Sequence, residues 1–228
     1  MPDFIAEWLN QNDIFNAMTI MEYWDGLVTT VHLVFLSLLI GLVVAVPLAI
    51  LRTVKNPFVS GPIWLYTYLF RGTPLLIQIL LIYLGLPQVG LVPGAISAGI
   101  IALSLNYGAY LSEIFRAGIL GVARGQREAA LALGMRTPQI FCHIILPQAM
   151  RVIIPPTANQ FISMLKDSSL ISVMGVWEVM FLAQSYGRSS YRYLEMLTTA
   201  AVIYWVLSIL LELLQARLER HFGKAYQR

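Results

Sequence analysis

Uncharged apolar stretches long enough to cross a bilayer recur from one end of the chain to the other, separated by short polar turns. The first, Gly26 to Leu51, has His32 as its only titratable side chain. At about 1.5 Å rise per residue it spans a hydrocarbon core of about 30 Å with some tilt, and Pro47 is expected to kink its inner end. Arg52, Lys55, Asn56 and Pro57 form a polar turn. A second span, Ile63 to Leu86, is interrupted by Arg71-Gly72-Thr73-Pro74. After an uncharged Pro- and Gly-rich loop, a third span covers Ala95 to Gly121. Ser104, Gly108 and Ser112 recur there every four residues, which puts small residues on one face where membrane helices approach closely.

Residues 124 to 143 break this pattern. Arg124, Arg127, Glu128, Arg136 and His143 give an amphipathic repeat too polar to cross a bilayer and too regular for a flexible linker, so short surface helices are expected. A fourth span, Ile144 to Leu165, contains Pro147, Pro155 and Pro156 and is expected to enter the membrane as a broken helix. Leu170 to Ala183 is a short apolar segment carrying Glu178, a candidate re-entrant piece. Met196 to Ala216 is a fifth span. The pattern predicts an all-α membrane protein with about five transmembrane helices.

Composition agrees: 58% of the 228 residues are hydrophobic and 12% charged, against roughly a quarter charged in a soluble domain. An ordinary soluble domain is thereby excluded. The net charge of +3 is spread over loops between apolar spans, which is membrane topology rather than a nucleic-acid surface. Cys142 has no second cysteine to pair with and only His143 beside it, so neither a disulfide nor a metal site is expected. No Lys or Arg precedes Arg52 and no small-residue cleavage site follows the start, so the first span is expected to stay attached.

The loop charges set an orientation. The N-terminal tail carries Asp3, Glu7, Asp13, Glu22 and Asp25 without a base, whereas the middle loop carries Arg116, Arg124, Arg127, Arg136 and Arg151. The tail beyond the last span adds Arg217, Arg220, Lys224 and Arg228. The positive-inside rule places the N-terminus outside, the middle loop inside and the C-terminus inside; residues 166 to 195, with three bases and three acids, dissent mildly.

Several polar residues stand out against this background. Arg71 lies within a span, where a charge is costly unless paired or hydrated; it is a candidate to meet a substrate carboxylate or Glu113, or else snorkels from the inner end of its helix. Glu113 and Arg116, three apart, are placed to pair on one helix face. Lys166, Asp167, Ser168 and Ser169 follow the fourth span and suit either a polar gate for a zwitterion or the capping turn of the next segment. Asn159 suits a substrate hydrogen bond or helix packing equally. Trp24, Tyr66, Trp177 and Trp205 read as interface anchors.

The middle loop is more specific. It reads Glu128-Ala129-Ala130, three residues, Gly134, nine residues, Ile144, one residue, Leu146-Pro147. Ala129 and Ala130 would present a small smooth face beside Glu128, and Gly134 would let the chain turn sharply. Such a surface fits a groove in a partner protein; a helix lying on lipid headgroups is the alternative.

This spacing resembles the EAA loop of permease subunits of bacterial ABC importers, matching it at every position. A narrower resemblance covers Trp24 to Arg220 through Arg71-Gly72-Thr73-Pro74, the run Asn106 to Glu113, Gly125-Gln126-Arg127-Glu128-Ala129-Ala130, Leu146-Pro147-Gln148-Ala149, Pro155-Pro156, Lys166-Asp167-Ser168-Ser169-Leu170 and Leu218-Glu219-Arg220. Together these look like the polar amino acid uptake permeases, which serve histidine, arginine, glutamine, glutamate or cystine. The resemblance implies the type I importer permease fold over residues 24–220, between an external segment 1–23 and an internal tail 221–228. Its coupling helix, with Gly125, Glu128, Ala129, Ala130, Gly134, Ile144, Leu146 and Pro147, would dock into the ATPase subunit. It also implies a substrate pathway along Arg71, Gly72, Thr73, Asn106, Glu113, Asn159, Lys166, Asp167, Ser168 and Ser169.

Expected partners are two ATPase subunits, a second permease subunit, identical or homologous, and a periplasmic or lipid-anchored solute-binding protein, in a bacterial inner membrane. The sequence lacks a Gly-x-x-x-x-Gly-Lys-Ser/Thr phosphate loop, so ATP and magnesium are expected on the partner and no hydrolysis by this chain. A stand-alone transporter or channel would need internal repeats or its own pore, and an intramembrane enzyme would need paired catalytic residues.

Overall fold

A computed structural model describes residues 17–54 and 56–223. Expectations about the first sixteen residues, Lys55 and the last five residues lie outside it. Among the described residues every regular element is helical. The chain is an all-α membrane protein. Among the described residues, four helical stretches are long and apolar enough to cross a membrane, and a bent pair raises the number to five.

Helix α1 (Ala17–Leu51) starts ahead of the predicted span and passes through Pro47. Helix α2 (Pro57–Gly72) is capped by Asn56, whose side chain accepts from Phe58 N at 3.0 Å, and starts on Pro57, a residue suited to the first helical turn. It meets α3 (Leu75–Leu80) at 108°. The interruption seen in the sequence is therefore a sharp bend. Pro74 forces Thr73 into extended conformation (φ −115°, ψ 147°) and supplies no N–H to continue the helix. A π turn (Leu81–Gly85) and a 3₁₀ turn (Leu86–Val89) complete this arm.

Helix α4 (Ala95–Leu120) is the central post, with Ala98, Ala102, Leu103 and Leu111 buried. Its stripe of small residues faces α1. The Ser104 hydroxyl donates to Ser37 O at 3.2 Å, and Gly41 lies across from Ser104 and Gly108. A Cβ on Gly108 would stand 3.3 Å from both Tyr66 Oη and Val44 Cγ1. Gly108→Leu is expected to wedge α1 and α2 off α4 and cost about 1–3 kcal/mol, the range for overpacking. Thermal unfolding of the solubilised protein checks this, and an unchanged midpoint would mean the stripe does not set the helix spacing.

Helices α5 (Arg124–Ala132) and α6 (Thr137–Ile140) form the middle loop, and a π turn (Phe141–Ile145) leads into α7 (Leu146–Asp167). The expected broken fourth span is corrected here, because α7 runs through Pro155 and Pro156 without interruption. Arg151 and Val152, whose carbonyls lose their usual donors to these prolines, are exposed residues.

The candidate re-entrant piece is likewise divided. A 3₁₀ turn (Ser168–Met174) and a left-handed Gly175 (φ 76°) lead to α8 (Val179–Ser190), and α9 (Tyr193–Gly223) contains the fifth span. Glu178, 0% exposed, caps α8 by accepting from Phe181 N at 2.6 Å and Met180 N at 2.9 Å. Its carboxylate also accepts from the Tyr204 hydroxyl at 2.7 Å, tying α8 to α9.

Candidate functional site

The bend between α2 and α3 frees backbone carbonyls inside an apolar bundle, and side chains satisfy them. Gln78 Nε2 donates to Phe70 O at 2.8 Å, Thr73 O at 3.1 Å and Thr73 Oγ1 at 2.9 Å. Asn106 Nδ2 donates to Phe70 O and to Gln78 Oε1, both at 3.0 Å. Thr73 Oγ1 donates to Leu69 O at 2.8 Å. Gln78 is buried behind the break, whereas Asn106 also borders the space in front of it.

That space is a cavity of about 350 Å³ walled by Thr73 and Pro74 at the bend, Asn106, Tyr107 and Tyr110 on α4, and Gln160, Ser163 and Asp167 on α7. It lies at the low end of the ~300–1,000 Å³ range of small-molecule pockets. Tyr107 Oη donates to Asp167 Oδ2 at 2.7 Å, fixing the carboxylate against α4. Arg71 is exposed beside the cavity, its guanidinium 5.3 Å from the centre of the Tyr110 ring. The Tyr110 hydroxyl donates to Arg71 O at 3.4 Å. One carboxylate and one guanidinium thus stand at a small polar space in an apolar bundle.

The other proposed pathway residues part company with it. Among the Lys166 to Ser169 run only Asp167 walls the cavity. Lys166 is exposed, Ser168 is buried and donates to Leu165 O at 2.6 Å, and Ser169 donates to Lys166 O at 2.7 Å. Asn159 Oδ1 accepts from Gln215 Nε2 at 3.0 Å, which makes it a link between α7 and α9. Gly72 borders open space and needs no special conformation.

Glu113 makes the pair with Arg116 that its spacing predicts. Its carboxylate pairs with both Arg52 and Arg116, not with Arg71, and Arg52 further donates to Thr67 Oγ1 at 3.2 Å. This triad staples the end of α1 to α2 and α4. Glu113→Gln leaves two partly buried guanidinium groups without their anion and is expected to cost about 1–3 kcal/mol. The expected signature is a lower unfolding midpoint with unchanged substrate preference; altered selectivity at wild-type stability would return Glu113 to the pathway.

At the same end of the bundle, α5 closes with a left-handed Gly134 (φ 76°). Met135 N donates to Ala130 O at 3.1 Å and Gly134 N to Leu131 O at 2.9 Å, the paired bonds that finish a helix on a C′ glycine. Ala130 is only 1% exposed and faces the fold, which corrects the expectation that Ala129 and Ala130 together form the outer face. Every residue from Ala123 to Gly134 except Ala130 is exposed, including Gly125, Glu128, Ala129, Leu131 and Leu133, the last 82% exposed. Leu131 and Leu133 are two exposed apolar side chains on an otherwise basic loop. Ile144 and Leu146 are half-buried and Pro147 exposed where the π turn enters α7.

Sequence reading missed Gln78, Tyr107, Tyr110, Gln160, Ser163 and the two leucines. Gln160, Ser163 and Asp167 share one helix face at intervals of three and four, a signal present in the sequence.

Membrane-length helices around a small polar cavity, with short helices joining two of them at one end, make this a membrane-embedded, multi-pass protein. The chain belongs to the family of binding-protein-dependent transport system inner membrane components, whose family model matches residues 13–224. It is 42% identical to the probable amino-acid ABC transporter permease protein PatM of Vibrio harveyi, over 88% of this chain and 91% of the relative. It is 40% identical to the arginine transport system permease protein ArtQ of Bacillus subtilis, over 86% and 90%. A crystal structure of an amino acid ABC transporter with histidines superposes with a TM-score of 0.86 at 36% identity, covering 92% of this chain and 98% of that one.

Proposed function

We propose that this chain is the permease subunit of an ATP-driven importer for a polar amino acid in a bacterial inner membrane. A second permease copy or homologue, two ATPase subunits carrying ATP and magnesium, and an external binding protein complete the machine. The N-terminus lies outside and the loop and C-terminus inside, as the basic loop charges require. The relatives' names, covering amino acids in general and arginine in particular, support the substrate class.

One observation carries the mechanism. Helix α7 contributes Gln160, Ser163 and Asp167 to the cavity and continues through the π turn and α6 into the exposed loop. A push on the loop therefore moves a wall of the cavity as a rigid rod, the kind of two-state element that alternating access requires. Asp167 receives the substrate's ammonium group and Arg71 its carboxylate, so each end of the zwitterion is paired as it leaves water. The chain's own role is to bind and gate.

A cysteine at Ala129 or Leu133 should form a disulfide with suitably placed cysteines on the ATPase subunit, at yields that change with nucleotide. Absence of cross-linking in every nucleotide state would remove the docking role.

A further inference from the structure

A second, larger cavity of about 700 Å³ lies between α1, α4 and α7, and its walls include Leu42, Val46, Ile119, Met150 and Ala158. Its α1 wall runs from Leu38 to Ile50, roughly 18 Å at about 1.5 Å per residue and close to one leaflet of a ~30 Å hydrocarbon core. The one hydroxyl among the lining side chains, Thr157 Oγ1, already donates to Ile153 O at 2.8 Å. The groove therefore has nothing to hold water with.

Its loop end is different. There it shares Ile50, Ile119 and Phe141 with a smaller space of about 230 Å³ that is also walled by Thr53, Arg127 and Thr137. The Thr53 hydroxyl donates to Ile50 O at 2.7 Å, which leaves the Arg127 guanidinium and the Thr137 hydroxyl as side-chain donors to an occupant. Arg124 and Arg136 add positive charge, against Glu128 as the loop's single acid. An apolar slot of leaflet depth ending in a cationic pocket matches an anionic amphiphile anchored at the interface.

We infer that the groove holds an acyl chain of an anionic phospholipid from the loop-side leaflet, with its phosphate on Arg127 and Thr137. This rests on the membrane placement of the chain and is independent of which substrate it carries. The lipid sits between α1 and the α7 rod, as a wedge beside the moving part.

Native mass spectrometry of the intact permease–ATPase complex, taken from nanodiscs of phosphatidylglycerol or of phosphatidylcholine, tests the inference without measuring transport. Phosphatidylglycerol is expected to stay bound through delipidation and phosphatidylcholine to be lost. Ala158→Phe fills the slot and should reduce retention about tenfold or more, because the chain loses burial of several methylenes. Met150→Trp, at an exposed wall position, should do the same without stressing the core. Arg127→Gln should erase the preference between the two lipids. Equal retention of both lipids by the unaltered complex would overturn the inference, as would wild-type retention in the two slot-filling variants. Disulfides from cysteines at Met150 and Ala158 to a second permease copy would also overturn it, since a protein helix would then occupy the groove.

Discussion

Glu128→Arg should reduce ATP-driven uptake about a hundredfold while leaving membrane insertion and substrate binding intact. Glu128 is exposed at the outer side of α5 and belongs to no ion pair among the described residues, so its replacement leaves the bundle undisturbed. Its consequence falls on the docked state. Opposed like charges at an interface cost several kcal/mol, and about 3 kcal/mol corresponds to roughly two orders of magnitude. Leu133→Asp attacks the same surface through an exposed apolar side chain and should behave alike. Uptake assays in proteoliposomes, paired with ATPase rates, read both variants. Uptake within threefold of wild type for both would show that the partner docks elsewhere.

Asp167→Asn is the second large effect, and it falls on the cargo. The amide keeps the size of the side chain and still accepts from Tyr107 Oη, so the wall of the cavity stays in place. What disappears is the negative charge facing the substrate's ammonium group. Asp167 is half-buried, so the loss of a charge-assisted contact costs about 1.5–3 kcal/mol, and uptake should fall by roughly ten- to a hundredfold. Nucleotide-dependent cross-linking of the loop should persist. Tyr107→Phe removes only the hydrogen bond that orients the carboxylate, worth about 1 kcal/mol, and should cost roughly fivefold. Initial uptake rates over a range of substrate concentrations separate the two. Wild-type uptake by Asp167→Asn would show that the cavity is not on the pathway.

Much of the fold is legible in the sequence because the bilayer imposes a simple rule: every span must be long, apolar and internally hydrogen-bonded. The predicted span 95–121 matches α4 to within one residue, and 196–216 lies inside α9, for that reason. The rule says less about prolines. Pro74 makes a 108° bend because neighbouring amides from Gln78 and Asn106 replace the lost backbone bonds, whereas Pro155 and Pro156 leave α7 continuous. Identical residue types thus have opposite outcomes, decided by tertiary partners that no local pattern records.

The candidate site was half visible for the same reason. Thr73, Asn106 and Asp167 enter the pathway through the family resemblance, and the cavity unites them. Glu113 drew attention on the same ground, yet its charge is spent on Arg52, a residue 61 positions away. Nothing local in the sequence marks Tyr107 and Tyr110; the fold places their hydroxyls on Asp167 and on the bend. In the loop, the helix-closing bonds at Gly134 turn Ala130 inward. Ala130 is the one buried residue of α5, so the local pattern of small residues does not by itself say which of Ala129 and Ala130 faces the partner.

The central claim is that α7 links a nucleotide-driven partner to the polar cavity. Reconstitution of this chain with its ATPase subunits, any second permease and the binding protein in proteoliposomes tests it most directly. Accumulation of a polar amino acid is compared between an active ATPase and one unable to hydrolyse ATP. Uptake against a gradient with the active partner, and none with the inactive one, is the expected result. Uptake that persists with the inactive partner would contradict the account.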